Sequence, residues 1–328
     1  MGLKKQMKGV IKKKAIFFTV SAIFILGFIF SLIVLQDSLS NTASYSVSSN
    51  RLVSVNAFID NVGHDGEFAL YTAGFRAVIS TIQHIENQLD YVDSAQDTLQ
   101  ELMFEGTIDG ESVFLMENNT FSDWLDKVSM QAQQRNILFE HTVPEIAIEQ
   151  TQPWVIDISV SFIANFTDTI TQATWNRSFS ATAQVPIVGF LDPVYIVGTT
   201  NQIFSVINQT PHDGMFVVGG DSSNLQDHVT QQYYVSFAGA PNFLMRLEGD
   251  LTPSMDQTGI ESLVDKAYLS LYMPIDSGRT NVDFLYFSTG ALPVYEFSNM
   301  PSIFRLDNQS SLGVSRLELY QLDAFVYE

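Results

Sequence analysis

Asp157, Ser159 and Ser161 stand at alternate positions of Asp157-Ile158-Ser159-Val160-Ser161. A carboxylate and two hydroxyls are the oxygen donors that a hard divalent cation takes. On a β-strand the same spacing puts all three on one polar face, opposite Ile158 and Val160, and solvation then accounts for them equally well. The five histidines, His64, His84, His141, His212 and His228, are dispersed, with no H-E-x-x-H pair. No G-x-S-x-G, phosphate loop, dinucleotide fingerprint or EF-hand loop occurs. The chain has no cysteine, which excludes disulfides, thiol nucleophiles and cysteine-type zinc sites. Gly219-Gly220-Asp221-Ser222-Ser223 reads either as a ligand loop or as a tight glycine turn. No catalytic residue and no cofactor is expected.

The elements that would position these residues fall into two kinds. Leu52, Val55, Ile59 and Val62, then Phe68, Tyr71, Phe75, Val78, Ile82, Ile85 and Leu89, step by three and four, which predicts a long helix. The two runs are offset across Val62-Gly63-His64-Asp65-Gly66, and two glycines there predict a kink or break. Shorter helices are expected over 93–104 and from Thr120, where Thr120 and Asp123 form a capping box. After a strand around 136–149 the period changes to two. Ile156, Ile158, Val160, Phe162, Ala164 and Phe166 alternate with polar residues, and Ala173 to Ile187 does the same, which predicts a long antiparallel hairpin. Beyond Gly189 to Asn201, short apolar runs separated by Gly, Pro, Asn and Asp read as strands, with a short helix at 259–264. Tyr268, Tyr272, Phe284 and Tyr286 among them read as core, or as a carbohydrate-binding face if exposed.

The N-terminus carries Lys4, Lys5, Lys8, Lys12, Lys13 and Lys14, and then Ala15 to Leu35 holds no charge. As a helix this run spans roughly 31 Å, the hydrocarbon thickness of a bilayer. Six lysines before it and no basic residue after it until Arg51 orient the N-terminus to the cytoplasm and the remainder outside the cell. A cleaved secretory signal has a shorter apolar core and a small-x-small exit, and Leu35-Gln36-Asp37 offers none. The other ten basic residues and all 36 acidic ones follow residue 36, a balance that disfavours nucleic acid and anionic lipid headgroups. Five Asn-x-Ser/Thr motifs, at Asn118, Asn165, Asn176, Asn208 and Asn308, are candidate glycosylation sites.

Two resemblances bear on function. Asp157, Ser159 and Ser161 fit the D-x-S-x-S pattern and are similar to the metal-binding opening of von Willebrand A-type domains. That likeness implies a cation site where a strand gives way to a helix. Lys14-Ala15 abutting an apolar helix resembles the class III signal of archaeal type IV pilin-like proteins. It implies a cut after Ala15 that exposes Ile16 and leaves the apolar stretch as the N-terminal helix. The fifth residue after that cut is Val20, where bacterial pilins carry glutamate.

The expected architecture is α+β, in four parts. Residues 1–14 are a basic cytoplasmic leader, 15–35 a transmembrane helix, 36–190 a helical stalk with an α+β domain, and 191–328 a sandwich-like, mainly-β domain. The expected role is a pilin-like surface component, held in the lipid bilayer, meeting other copies or other surface proteins through its N-terminal helix and displaying an acidic ectodomain. The alternative is a stand-alone membrane-anchored adhesin or envelope binding protein for carbohydrate or divalent cations. A tethered hydrolase has no supporting motif.

Overall fold

Helical periodicity carries the chain without interruption from Leu3 to Gln88 as α1, a helix of 86 residues. The computed structural model describes residues 3–290 and 292–326, and of residues 3–25, 27, 35 and 37–49 the backbone only. Contacts divide the chain into two units, Met1–Asn61 and Val62–Glu328. In the first unit Leu26, Phe28, Phe30 and Ile33 are exposed. Among the described residues no helix is long and apolar enough to cross a membrane, and most of the Ala15–Leu35 side chains lie outside them, as do those of Ala15 and Ile16.

The break expected at Gly63–Gly66 is absent. A Cβ at Gly66 would meet the Trp124 ring at 3.2 Å, and one at Gly74 would lie 2.4 Å from Ile158 Cδ1. These glycines are where α1 approaches its neighbours closely, and packing outweighs their poor helix propensity. The apolar seam is displaced for the same reason. Val78, Ile82 and Ile85 are buried, but Phe68 is 75% exposed and Leu89 lies past the helix end with φ 56°. The centre of the buried stripe runs through Gly66, Leu70, Ala73, Gly74, Ala77 and Thr81, mostly residues too small to register in a hydrophobic pattern.

α2 (Ala95–Glu105) begins at Ser94, whose side chain accepts the Asp97 N–H, and stops at Gly106 with φ 73°. The two-residue strands β1 (Thr107–Ile108) and β2 (Glu111–Ser112) form a hairpin around Asp109 and Gly110, both at positive φ. α3 (Phe121–Gln134) opens with both arms of the expected Thr120–Asp123 capping box. The main sheet follows. The single strand expected over 136–149 is two, β3 (Ile137–His141) and β4 (Glu145–Gln152), which pair in succession along one edge of β5 (Val155–Asp168). Between them three residues, 142–144, face two of β5, a bulge that includes Pro144, which has no N–H to donate. The Thr142 hydroxyl repairs the ladder by accepting the Ile163 N–H at 3.0 Å.

β6 (Thr174–Pro186) pairs the other edge of β5 from Val155↔Pro186 to Thr167↔Thr174, so the expected hairpin forms in full. Its apolar face, Ile156 to Phe166 with Ala181, Ala183 and Val185, is buried. Phe162 meets Phe121 of α3 edge-on and stacks on Phe179, and Ile158 and Val185 meet Gly74 of α1. The architecture is therefore mixed α+β with antiparallel sheets.

Residues 191–326 correct the sandwich-like expectation. They hold α4 (Pro193–Gly198), α5 (Ser223–Thr230), β7 (Tyr234–Ser236), α6 (Phe243–Glu248), β8 (Ile260–Ser262), α7 (Lys266–Leu269) and α8 (Asp283–Phe287). The two-residue strands β9 (Val294–Tyr295), β10 (Leu306–Asp307), β11 (Ser310–Ser311) and β12 (Val314–Ser315) follow, then α9 (Arg316–Leu319). Apolar runs of four to six residues do not separate strand from helix, and the residue before each run decides. Asp192, Asn242, Asp265 and Ser315 each accept backbone N–H groups of the following turn and so start a helix. The short helix expected at 259–264 is instead strand β8, paired with β7.

The boundary expected near residue 190 falls inside one unit. Gln150 of β4, almost fully buried, accepts the N–H groups of Phe243 and Leu244 at the start of α6. Val92 N–H donates to Leu247 O, and Ala95 N–H to Glu248 Oε1.

The continuity of α1 can be checked by stability. Gly63→Ala is expected to raise the urea midpoint by about 0.5–1 kcal/mol of stability, since helical alanine is favoured. The added methyl meets only Phe179, at 3.8 Å. Gly74→Val is expected to cost about 1–3 kcal/mol by overpacking. A break at Gly63 would leave the first substitution without gain.

Candidate functional site

Two arginines in the C-terminal region have no contact with water. Arg246, mid-way through α6, is fully buried and faces Asp192, the N-cap of α4, and Asp283, the first residue of α8. Its Nη1 donates to Asp192 Oδ2 at 2.6 Å and Asp283 Oδ2 at 3.0 Å, and its Nη2 to Asp283 Oδ1 at 3.2 Å and Ile260 O at 2.5 Å. Tyr234 hydroxyl donates to Asp192 Oδ2 at 2.7 Å, and Ser262 donates to Asp283 through both its N–H and its hydroxyl. Arg316 of α9 holds Glu261 through Nε and Nη2 and Asp307 through Nη1, while Thr280 hydroxyl donates to Asp307 Oδ2 at 2.9 Å. Its guanidinium carbon lies 4.9 Å from the Phe237 ring centre.

β8 joins the two clusters, since alternation along three residues sends Ile260 O and Ser262 to one and Glu261 to the other. Two guanidiniums thus serve four carboxylates. Burial pushes Asp192 and Glu261 above the usual carboxylate range, with Arg246 and Arg316 respectively pulling them back. Lys266 is buried too, donating to Arg279 O and Ile303 O. Burial, with the charge of Arg305 adding to it, lowers its pKa to about 8. Every hydrogen-bond partner of Arg246 and Arg316 is itself inside the protein, while Arg246 Nε has none among the described residues.

The residues singled out in sequence do not converge. Asp157, Ser159 and Ser161 share the outer, polar face of β5 in mid-strand, and the strand continues to Asp168 without giving way to a helix. The von Willebrand-type context is missing. Asp157 Oδ2 accepts the Thr151 hydroxyl at 2.5 Å and its N–H at 3.3 Å, and Oδ1 accepts Gln184 Nε2 at 2.9 Å. Burial raises its pKa, but these three bonds outweigh that and leave it below the usual range. A shallow depression of about 470 Å³ lies over it, lined also by Glu149 and Thr182. Among the described residues no three His, Asp or Glu side chains are grouped as metal ligands.

Gly219 and Gly220, both at positive φ, form a tight turn closed by Val218 and Asp221. His64 is exposed on the unbroken α1, and His212 Nε2 lies 2.7 Å from Asp227 Oδ2. His228 is enclosed by Phe216, Tyr233 and Tyr320, with Nδ1 on the Thr210 hydroxyl and Nε2 without a partner. Burial drives its pKa down to about 3; His212 adds to the drop and Asp227 opposes it. Of the aromatic residues, Phe284 and Tyr286 are core, while Tyr268 and Tyr272 are exposed and in edge contact. Sequence reasoning missed Arg246 and Arg316 altogether. The available signal was an arginine inside the apolar run Phe243-Leu244-Met245-Arg246-Leu247.

No family model, no curated protein and no solved structure matches the chain.

Two measurements test the buried chemistry. Arg246→Met is expected to cost about 3–5 kcal/mol in urea titration, because Asp192 and Asp283 lose their counter-charge. Adding Asp192→Asn and Asp283→Asn to that variant is expected to recover part of the loss. His228 has a folded pKa below its unfolded one, so the unfolded state binds the extra proton between about pH 6.5 and pH 3. Its contribution to stability is present above that window and lost as pH falls through it. His228→Phe is therefore expected to remove an acid-dependent loss of up to about 5 kcal/mol, seen as a gap from wild type that narrows on acidification.

Proposed function

We propose that the chain is a non-enzymatic surface protein, held in a membrane by Ala15–Leu35 and displaying its acidic remainder outside the cell. In this reading it is pilin-like: the apolar N-terminal helix meets lipid and other copies, and the region after Val62 is the displayed part. One observation carries the proposal. A single helix of 86 residues contains the charge-free run, and where its side chains are described, at Leu26 and from Phe28 to Val34, all but Ser31 are exposed apolar groups. Bare side chains of this kind in a continuous row call for a non-aqueous or helical partner. The six lysines on one side of the run and the strongly acidic remainder support the orientation. The buried arginine clusters support a structural role for the C-terminal region, since every carboxylate that they hold is buried with them.

The stand-alone adhesin reading draws on the exposed Tyr268–Tyr272 pair beside Leu271, an aromatic surface of the kind that stacks on sugars. Mass spectrometry of the mature N-terminus separates the two. A chain beginning at Ile16 and extracted only by detergent is the expected result. A membrane-bound chain that retains Met1 or Gly2 would sink the pilin-type processing and leave the stand-alone anchor. Recovery of the full chain in the soluble cytosolic fraction would sink both.

A further inference from the structure

The five Asn-x-Ser/Thr motifs all place their asparagine at the surface, yet they differ in whether the motif's groups are free. Glycan transfer needs an amide that can leave its surroundings and a hydroxyl two residues on that can turn toward the transferase. In the Asn118 motif that hydroxyl is nearly buried: Thr120 Oγ1 donates to Asp123 Oδ2 at 2.6 Å and accepts the Asp123 N–H at 2.9 Å, as the cap of α3. Asn165 and Asn176 are direct cross-strand partners in β5 and β6, and Asn176 Nδ2 donates to Asn165 Oδ1 at 2.8 Å. Each lies in a strand whose register is fixed on both sides by the hairpin. In the Asn208 motif, Thr210 Oγ1 is held between the His212 N–H and His228 Nδ1.

Asn308-Gln309-Ser310 is different. Its three residues are exposed, and among the described residues neither the Asn308 amide nor the Ser310 hydroxyl makes a hydrogen bond. The motif is nonetheless presented firmly. Asp307, immediately before it, is locked to Arg316 and Thr280, and Asp307 Oδ1 also accepts the Gln309 N–H at 3.0 Å. Gln309 O accepts the Arg316 N–H at 2.9 Å, and the chain then turns at Leu312 and Gly313, both at positive φ. The result is an outward bend with a rigid base and two free functional groups.

We propose that Asn308 is the asparagine that accepts an N-linked glycan once the chain has folded, and that the fold withholds the other four. The co-substrate is a polyprenyl-diphosphate-linked oligosaccharide. The anomeric C–O bond to the diphosphate breaks, a C–N bond forms to the Asn308 amide nitrogen, the amide proton passes to a base of the transferase, and polyprenyl diphosphate leaves. The proposal rests on export of this region, but its test reads the site and not the location of the chain in a cell.

Purified, folded full-length chain is incubated with an oligosaccharyltransferase that reads the three-residue motif alone and with polyprenyl-diphosphate-linked chitobiose, and glycopeptides are mapped. Synthetic peptides carrying each motif run in parallel as acceptors free of the fold. Occupancy at Asn308 at least about tenfold above any other site in the folded chain is expected, with Asn308→Gln and Ser310→Ala each abolishing it. No transfer to Asn308, or transfer to Asn118, Asn165, Asn176 or Asn208 at equal levels, would overturn the proposal.

Discussion

Burial of unequal charge is the constraint on which the C-terminal region depends. Arg246 and Arg316 are sealed from water with Asp192, Asp283, Glu261 and Asp307, and removing either arginine leaves two carboxylates without their counter-charge in a low dielectric. The elements that deliver these side chains are very short: helices of four to six residues and strands of three and two. None of them is stable alone. What fixes them is that each carries one fork or one carboxylate of a shared network, backed by Tyr234, Ser262 and Thr280. A region with little regular secondary structure obtains a single arrangement from directional bonds, where a long-stranded sheet would have obtained it from its ladder.

The sheet and α1 use a different device. β5 is long, is paired on both edges, and shows a clean inner and outer face. Against it lies a helix whose buried stripe sets Gly66, Ala73, Gly74 and Ala77 among Leu70, Val78, Ile82 and Ile85, and Ile158 and Val185 of the strands reach in at Gly74. Close approach of the backbones replaces interdigitation of large residues on both sides. The approach is tightest at Gly74, and of the two glycines that read as a break Gly66 shares it while Gly63 does not.

Legibility in sequence followed the length of the signal. The hairpin of β5 and β6, with thirteen or more alternating residues each, was readable as a hairpin with one apolar face, and the Thr120–Asp123 cap to its two residues. Phe68 was misassigned because large residues dominate any periodicity, while Ala73, Ala77 and Gly74 do the packing. Residues 191–326 read as strands because four-residue apolar runs have no period to measure, although Asp192-Pro193, Asn242, Asp265 and Ser315 were caps in plain sight. Composition assigned the acidic residues to a solvated surface, and neither count nor spacing marks Asp283 or Glu261 as interior. Asp157, Ser159 and Ser161 were placed correctly on one polar face, and only the structure shows that Thr151 and Gln184 already occupy the carboxylate.

The small-residue stripe of α1 also has a bearing on biogenesis. Residues 62–88 leave the ribosome well before β5 and β6 exist to receive them, and a helix waiting in that state exposes whichever face will later be covered. Here that face sets Gly66, Ala73, Gly74 and Ala77 among Val62, Leu70, Val78, Ile82 and Ile85, so its apolar area waits uncovered until the sheet forms. The strand half of the interface, Ile158, Phe162 and Val185, is synthesised later and covers it. Chain order therefore leaves an apolar helix face waiting for the strands that will satisfy it.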